Sequence, residues 1–263
     1  FKQMMKTFTE PSNLKITPVE FKHCAGVWFE PAKITSEKVM LFLHGGAYTV
    51  GSWESHQELV SRIAKGSGMR IFALNYRLAP ENHYPAALND ALEAYDYLLK
   101  DHFKPKQIIV GGTSAGGGLA LALILKLKEL NKPLPAAGIL ICPWVDLALT
   151  GKTLLTHNGK DLISKERVSG AAKEYVGPHN SKDPYISPLY GDLSHLPPLL
   201  IQAGTLEVLW SEIEALVEKA TQGGTHVTFQ PYEGMFHTWQ LFASKIPEGQ
   251  KAIDAICLYI NHL

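Results

Sequence analysis

The chain has 263 residues, of which 46% are hydrophobic, a size and composition suited to one α/β domain with a sizeable core. Its 25 Lys and Arg residues balance its 25 Asp and Glu residues, so the formal net charge of zero would not attract nucleic acid, and we expect no nucleic-acid partner. No apolar run reaches the roughly 18 residues of a membrane span, so we expect none.

The chain opens on an apolar stripe at helical spacing, formed by Phe1, Met4, Met5 and Phe8. This stripe predicts a helix docked on the core, or alternatively the tail of a helix that covers a site. A membrane-surface anchor fits less well, because the polar face of such a helix carries only Lys2 and Lys6.

Beyond this stripe, short apolar runs alternate with helical patterns, which is typical of a mostly parallel sheet with helices on both faces. The predicted strands span residues 19–22, 27–29, 39–43, 71–75, 107–110, 139–142, 199–203 and 227–232. The predicted helices span residues 54–65, 85–99, 115–130, about 213–220 and 252–260. The stretch from about residue 150 to 197 lacks a strong strand pattern. It predicts an insertion over the carboxyl edge of the sheet, where ligands bind in such folds.

A glycine pair follows the buried strand at residues 39–43, in the run His44-Gly45-Gly46-Ala47. Two adjacent glycines let the backbone approach a substrate carbonyl closely, and backbone amides that converge on one point can hold an oxyanion. The sequence therefore predicts an oxyanion hole made by the amides of Gly45, Gly46 and Ala115. His44 is expected to brace the loop.

A serine lies between two glycines where a predicted strand meets a predicted helix, in the run Gly112-Thr113-Ser114-Ala115-Gly116. A sharp strand-to-helix turn lifts such a serine clear of the sheet and aims the helix amides at it. We therefore predict Ser114 as a nucleophile. It needs a base, because a serine hydroxyl is otherwise unreactive.

The base and the acid are expected at the carboxyl ends of later strands, in the chain order serine, acid, histidine. His237 follows the last predicted strand, and Glu207 lies four residues past the strand at 199–203. We predict His237 as the base and Glu207 as the acid that orients it. Three other carboxylates remain as alternatives for the acid: Asp146, Glu212 and Glu214.

Five aromatic residues fall near the predicted site loops and are candidates for the substrate pocket, although each could equally belong to the core. They are Tyr48, Tyr76, Tyr185, Trp210 and Phe236.

Metal-ligand and nucleotide-binding patterns such as H-E-x-x-H, C-x-x-C and G-x-G-x-x-G do not occur, so we expect no metal and no other cofactor. The three cysteines, Cys24, Cys142 and Cys257, are scattered and odd in number, which indicates free thiols and a reducing, cytoplasmic location.

Together, five segments resemble those of the hormone-sensitive-lipase-like esterases (bacterial family IV): residues 44–46, 75–81, 112–117, 143–147 and 235–237. The resemblance runs from about residue 16 to the C-terminus. It implies an α/β-hydrolase fold with a helical cap, no cofactor, and hydrolysis of short-chain carboxylic esters, which are small-molecule substrates, through an acyl-enzyme. It also implies a homodimer formed through the last strand.

The chain departs from the family pattern at three places. Thr113 precedes the serine where many members have Asp, and Glu207 replaces the usual Asp acid. Relatives also carry a longer N-terminal segment, so residues 1–15 are expected to be the remnant of an N-terminal cap. Residues 16–149 and 196–263 would then form the hydrolase core, and residues 150–195 a cap insertion.

Two other functions are compatible with the same fold. One is a catalytically weak small-molecule-binding module, which the presence of a serine, a carboxylate and a histidine argues against. The other is an amidase or peptidase that uses the same three residues.

Overall fold

The structure is a computed structural model that describes residues 14–263. The apolar stripe of Phe1, Met4, Met5 and Phe8 lies outside the described residues, as does the expected N-terminal cap remnant apart from residues 14–15. These two residues begin the first strand.

From residue 14 onward, eight strands form one sheet. They are β1 (Leu14–Glu20), β2 (Ala25–Pro31), β3 (Val39–Leu43), β4 (Arg70–Asn75), β5 (Ile108–Thr113), β6 (Ala137–Ile141), β7 (Leu199–Gly204) and β8 (Val227–Tyr232). Their order is β1-β2-β4-β3-β5-β6-β7-β8. The two leading strands are antiparallel to their neighbours, and all remaining pairs are parallel. This confirms the predicted mostly parallel sheet.

Within this described part of the chain, seven α-helices connect or flank the strands. They are α1 (Gln57–Ser67), α2 (Ala86–Lys100), α3 (Ala115–Glu129), α4 (Thr153–Thr156), α5 (Lys165–Val176), α6 (Trp210–Gln222) and α7 (Pro247–His262). Local sequence explains several of their ends. The Ser164 hydroxyl accepts a hydrogen bond from the Arg167 amide and caps α5, and Gly68 ends α1 at a φ of 66°.

Helices cover both faces of the sheet, as predicted. Along β3, Val39, Leu41 and Leu43 pack in the core beneath α2, α3 and α6, whereas Met40 and Phe42 pack in the core beneath α1 and α7. Every residue of β3 is therefore buried, which explains why its sequence is continuously apolar instead of alternating.

The stretch between β6 and β7 contains no strand and holds only α4, α5 and a short 3-10 turn, which accords with the lack of a strand pattern in its sequence. Within residues 14–263, none of the helices combines the length and the apolar character needed to cross a membrane.

Candidate active site

Ser114 occupies the turn between β5 and α3. Its backbone has a φ of 53° and a ψ of −121°, in a region that residues with side chains rarely adopt. The turn places the side chain at the carboxyl edge of the sheet, with the first amide of α3, that of Ala115, beside it.

Only glycine fits at the positions two residues before and two residues after this serine. A Cβ at Gly112 would collide with the carbonyl oxygens of Leu43 and Gly116, and a Cβ at Gly116 would collide with those of Leu43 and His44. The close packing of β5 and α3 against the end of β3 therefore explains the glycine spacing of the motif.

The structure brings the three predicted catalytic side chains into one hydrogen-bonded chain. Ser114 Oγ lies 2.8 Å from His237 Nε2, and His237 Nδ1 lies 2.7 Å from Glu207 Oε2. A carboxylate oxygen only accepts, so His237 carries its proton on Nδ1 and leaves Nε2 to accept the Ser114 hydroxyl. The imidazole is thus in the tautomer that a general base needs.

Glu207 is fully buried, and its second oxygen accepts a hydrogen bond of 2.6 Å from the Gly204 amide. None of the three alternative acids occupies this place. The Glu212 carboxylate accepts from the amides of Val145 and Asp146, and Glu214 is exposed. The Asp146 carboxylate accepts from residues of its own loop, including the Thr150 amide at 2.8 Å.

Two opposing effects set the pKa of His237. Burial lowers it, while the hydrogen bond and charge of Glu207, together with the charge of Asp161, raise it. The balance leaves the pKa of His237 above its ordinary value of 6.5. The imidazolium formed when His237 takes a proton is therefore stabilised by the two carboxylates.

The glycine loop after β3 requires one correction. The Gly45 amide donates to His56 Nε2 at 3.0 Å, so it is not free to bind an oxyanion, contrary to the prediction. Among the described residues, the amides of Gly46 and Ala47 have no hydrogen-bond acceptor, and both residues line the cavity beside Ser114. The free donors therefore begin one residue later than predicted.

Two buried histidines hold this loop in place. His44 stacks on Tyr76 with ring centroids 4.2 Å apart, and its Nδ1 lies 2.8 Å from the Gly45 carbonyl oxygen. Burial lowers the pKa of His44 to about 4 and that of His56 to about 3. Both rings are thus neutral at neutral pH, which His56 requires in order to accept from the Gly45 amide.

A cavity of about 410 Å³ opens onto the serine and the histidine. Its side walls are mostly apolar and come from the loops after the strands and from the insertion. These wall residues are Val50, Trp144, Leu162, Ile163, Arg167, Val168, Leu209 and Leu241. The cavity thus has a size and lining suited to a small apolar ligand.

The five predicted aromatic pocket residues do not line this cavity. Tyr48 and Tyr76 are buried in the core beneath it, where Tyr48 stacks on Tyr175. The other three do not line the cavity either and pack against other side chains. These packing contacts join Tyr185 to Lys126, Trp210 to Phe229, and Phe236 to Phe242.

Most of the wall residues were missed because their positions follow no sequence pattern. Aromatic residues near a loop are large enough to reach back into the core, which is where Tyr48 and Tyr76 lie. Three of the six aliphatic wall residues come from the insertion, for which the sequence predicted only the location.

Cys142, Glu207 and His237 present ligand atoms within 4.8 Å of one another, a spacing that a metal ion could bridge. However, Glu207 and His237 are hydrogen-bonded to each other, and the Cys142 sulfur accepts from the Thr238 amide. Burial, with Glu207 nearby, raises the pKa of the Cys142 thiol well above its ordinary value, which opposes the thiolate that a metal needs. We assign no metal to this group.

Comparison with known proteins gives consistent results. A family model described as the α/β hydrolase fold matches residues 40–241. An acetyl-hydrolase of Streptomyces hygroscopicus is 39% identical over 253 residues, which cover 95% of this chain and 84% of that protein. An esterase of Acinetobacter venetianus is 34% identical over 263 residues, covering 99% of this chain and 86% of that protein. The crystal structure of an esterase from the bacterial hormone-sensitive lipase family aligns with a TM-score of 0.96 at 37% identity, covering 99% of this chain and 88% of that one.

Proposed function

The chain belongs to the α/β-hydrolase fold family, among the bacterial hormone-sensitive-lipase esterases, and is a carboxylic ester hydrolase; from this premise we propose that it cleaves short-chain esters through an acyl-enzyme on Ser114. The continuous hydrogen-bond chain from Ser114 through His237 to Glu207 carries the proposal. The acetyl-hydrolase among its relatives supports a short acyl group.

In the first half of the reaction, His237 Nε2 takes the proton of Ser114 as Oγ attacks the ester carbonyl carbon. The carbonyl oxygen becomes an oxyanion, which accepts hydrogen bonds from the amides of Gly46, Ala47 and Ala115. Collapse of the tetrahedral intermediate breaks the bond to the alcohol oxygen, which leaves with the proton held by His237.

In the second half, a water molecule takes the place of the alcohol. His237 removes its proton as it attacks the acyl-enzyme, and the second tetrahedral intermediate collapses to release the acid and return the proton to Ser114 Oγ. Glu207 orients the imidazole in both halves and stabilises its charged form.

The substrate range is tested with p-nitrophenyl esters of rising acyl length and with matched p-nitroanilides. We expect kcat/KM to be highest for acetyl and butyryl esters and to fall at least about tenfold at decanoyl, because a cavity of about 410 Å³ must hold both the acyl and alcohol groups. Amide cleavage should be far slower than ester cleavage. A preference for decanoyl esters, or equal rates on esters and anilides, would contradict the proposal and favour a lipase or an amidase.

We propose that residues 150–195 form a cap over this site. Four of the cavity wall residues, Leu162, Ile163, Arg167 and Val168, come from this segment, which supports the assignment. We further propose that the hydrolase core comprises residues 14–149 and 196–263, because the first strand already begins at Leu14.

We propose that the chain forms a homodimer through β8. This strand is the outer strand of the sheet beyond β7, and its residues are half-buried or exposed, which supports pairing with a second copy. The particle mass measured by analytical ultracentrifugation tests this proposal, and a monomer at micromolar concentration would overturn it.

We propose a reducing, cytoplasmic location. Cys24, Cys142 and Cys257 are all free thiols, and two of them are buried, which supports a compartment that does not oxidise them. Fractionation of the producing cell tests this, and recovery of the protein outside the cytoplasm would contradict it.

A further inference from the structure

Asp161, in the cap segment between α4 and α5, bonds to the backbone of both loops that carry the acid and the base. Its Oδ1 accepts a hydrogen bond of 2.7 Å from the His237 amide, and its Oδ2 accepts one of 2.9 Å from the Val208 amide. Val208 directly follows Glu207. One carboxylate thus joins two loops that follow different strands. It binds one loop at His237 itself and the other at the residue next to Glu207.

The same cap segment holds the other side of the peptide group after Glu207. His157 Nδ1 lies 3.0 Å from the Glu207 carbonyl oxygen, while Asp161 binds the amide of Val208. Both polar atoms of the Glu207–Val208 peptide group are therefore bound by the cap. The next residues of the cap, Leu162 and Ile163, line the cavity, so the wall of the pocket and the support of the acid belong to one segment.

We propose that Asp161 is a positioning residue that makes alignment of the Glu207–His237 pair depend on placement of the cap; this rests on the catalytic roles proposed for that pair. Charge-assisted hydrogen bonds from a carboxylate to backbone amides are short and directional, so they fix the loops more firmly than neutral contacts do. A small displacement of a catalytic base lowers the reaction rate by a large factor. Loss of the Asp161 hydrogen bonds should therefore lower kcat.

The charge of Asp161 gives the proposal a second observable. The titratable groups near His237 come from three directions: Glu207 after β7, Cys142 after β6 and Asp161 from the cap. The carboxylates of Glu207 and Asp161 favour the protonated imidazole. Removal of the Asp161 charge should therefore lower the pKa of His237 and move the acid limb of the pH–rate profile to lower pH.

The test compares Asp161→Asn and Asp161→Ala with Asp183→Asn. Asp183 lies in the same insertion and accepts the Tyr185 amide within its own turn, away from the triad loops. We expect kcat on p-nitrophenyl butyrate to fall about tenfold in Asp161→Asn and further in Asp161→Ala, with KM little changed. Asp183→Asn should retain the wild-type kcat and pH profile.

The pKa of the His237 imidazole, followed by NMR, separates this proposal from the proposed function because it needs no turnover. A lower pKa of His237 in folded Asp161→Asn supports the proposal, whether or not the protein hydrolyses an ester. Absence of ester hydrolysis by the wild type would overturn the proposed function instead. An unchanged pKa with unchanged kcat overturns the proposal. So does a loss of kcat that merely follows the fraction of unfolded protein, with the pKa unmoved.

Discussion

Replacing Ser114 by alanine is expected to lower kcat on short p-nitrophenyl esters by roughly 10⁶-fold, to the level supplied by substrate binding and the oxyanion donors alone. The reason is that the substitution removes the only hydroxyl bonded to His237 Nε2 among the described residues. A fluorophosphonate probe, which reacts covalently with an activated serine, should label the wild type at one site and leave Ser114→Ala unlabelled.

The matched control is Ser61→Ala. Ser61 is also buried, but it lies on α1 against the opposite face of the sheet and does not line the cavity. This variant should keep the wild-type rate. Equal ester hydrolysis by the wild type and Ser114→Ala, at equal folded fraction, would refute the nucleophile assignment and leave the binding-module interpretation.

The central strands were predictable because they are buried on both faces. Residues 39–43 and 227–232 were predicted with the same ends that β3 and β8 have in the structure, and the remaining elements differ mainly at their boundaries. Strand β1 was predicted too late, starting at residue 19 rather than at Leu14, because one of its faces is partly exposed and its apolar signal is weak.

The meeting of Ser114, Glu207 and His237 could be predicted for a topological reason. Parallel strands place their carboxyl ends at one edge, so residues just after β5, β7 and β8 meet there whatever the loops between them do. The end of β7 also favours Glu207 over Glu212, because Glu212 lies within α6. In the structure the Glu212 carboxylate accepts from the Val145 and Asp146 amides.

The glycine loop after β3 could not be predicted from the topology in the same detail. The sequence places glycines after β3, but it does not say which amides are already used. The Gly45 amide donates to His56, which lies eleven positions later in the sequence. This contact forms only in the folded loop. Asp161 and the aliphatic cavity wall were missed for the same reason, since their contacts join segments that no periodic pattern links.

Replacing Glu207 by glutamine is expected to lower kcat by roughly 10⁴-fold. The amide of glutamine can donate to His237 Nδ1, which favours the tautomer with its proton on Nε2 and leaves no lone pair to accept from Ser114.

In the wild type, activity should be lost as pH falls through the raised pKa of His237, so the acid limb of kcat/KM lies above 6.5. In Glu207→Gln the burial that lowers this pKa is opposed less, and the limb of the residual activity should move to lower pH. Both changes are read from a pH series of kcat and kcat/KM.

Glu212→Gln is the matched control, because it makes the same substitution at a buried carboxylate near the site. Burial raises the pKa of Glu212 well above its ordinary value, which favours the neutral form that glutamine resembles. Its Oε1 accepts from two amides, a role that the glutamine oxygen can keep. We therefore expect wild-type kcat and an unmoved acid limb. If Glu212→Gln lost activity and Glu207→Gln did not, the acid would have to be reassigned, and His237 would have to turn away from Glu207 during the reaction.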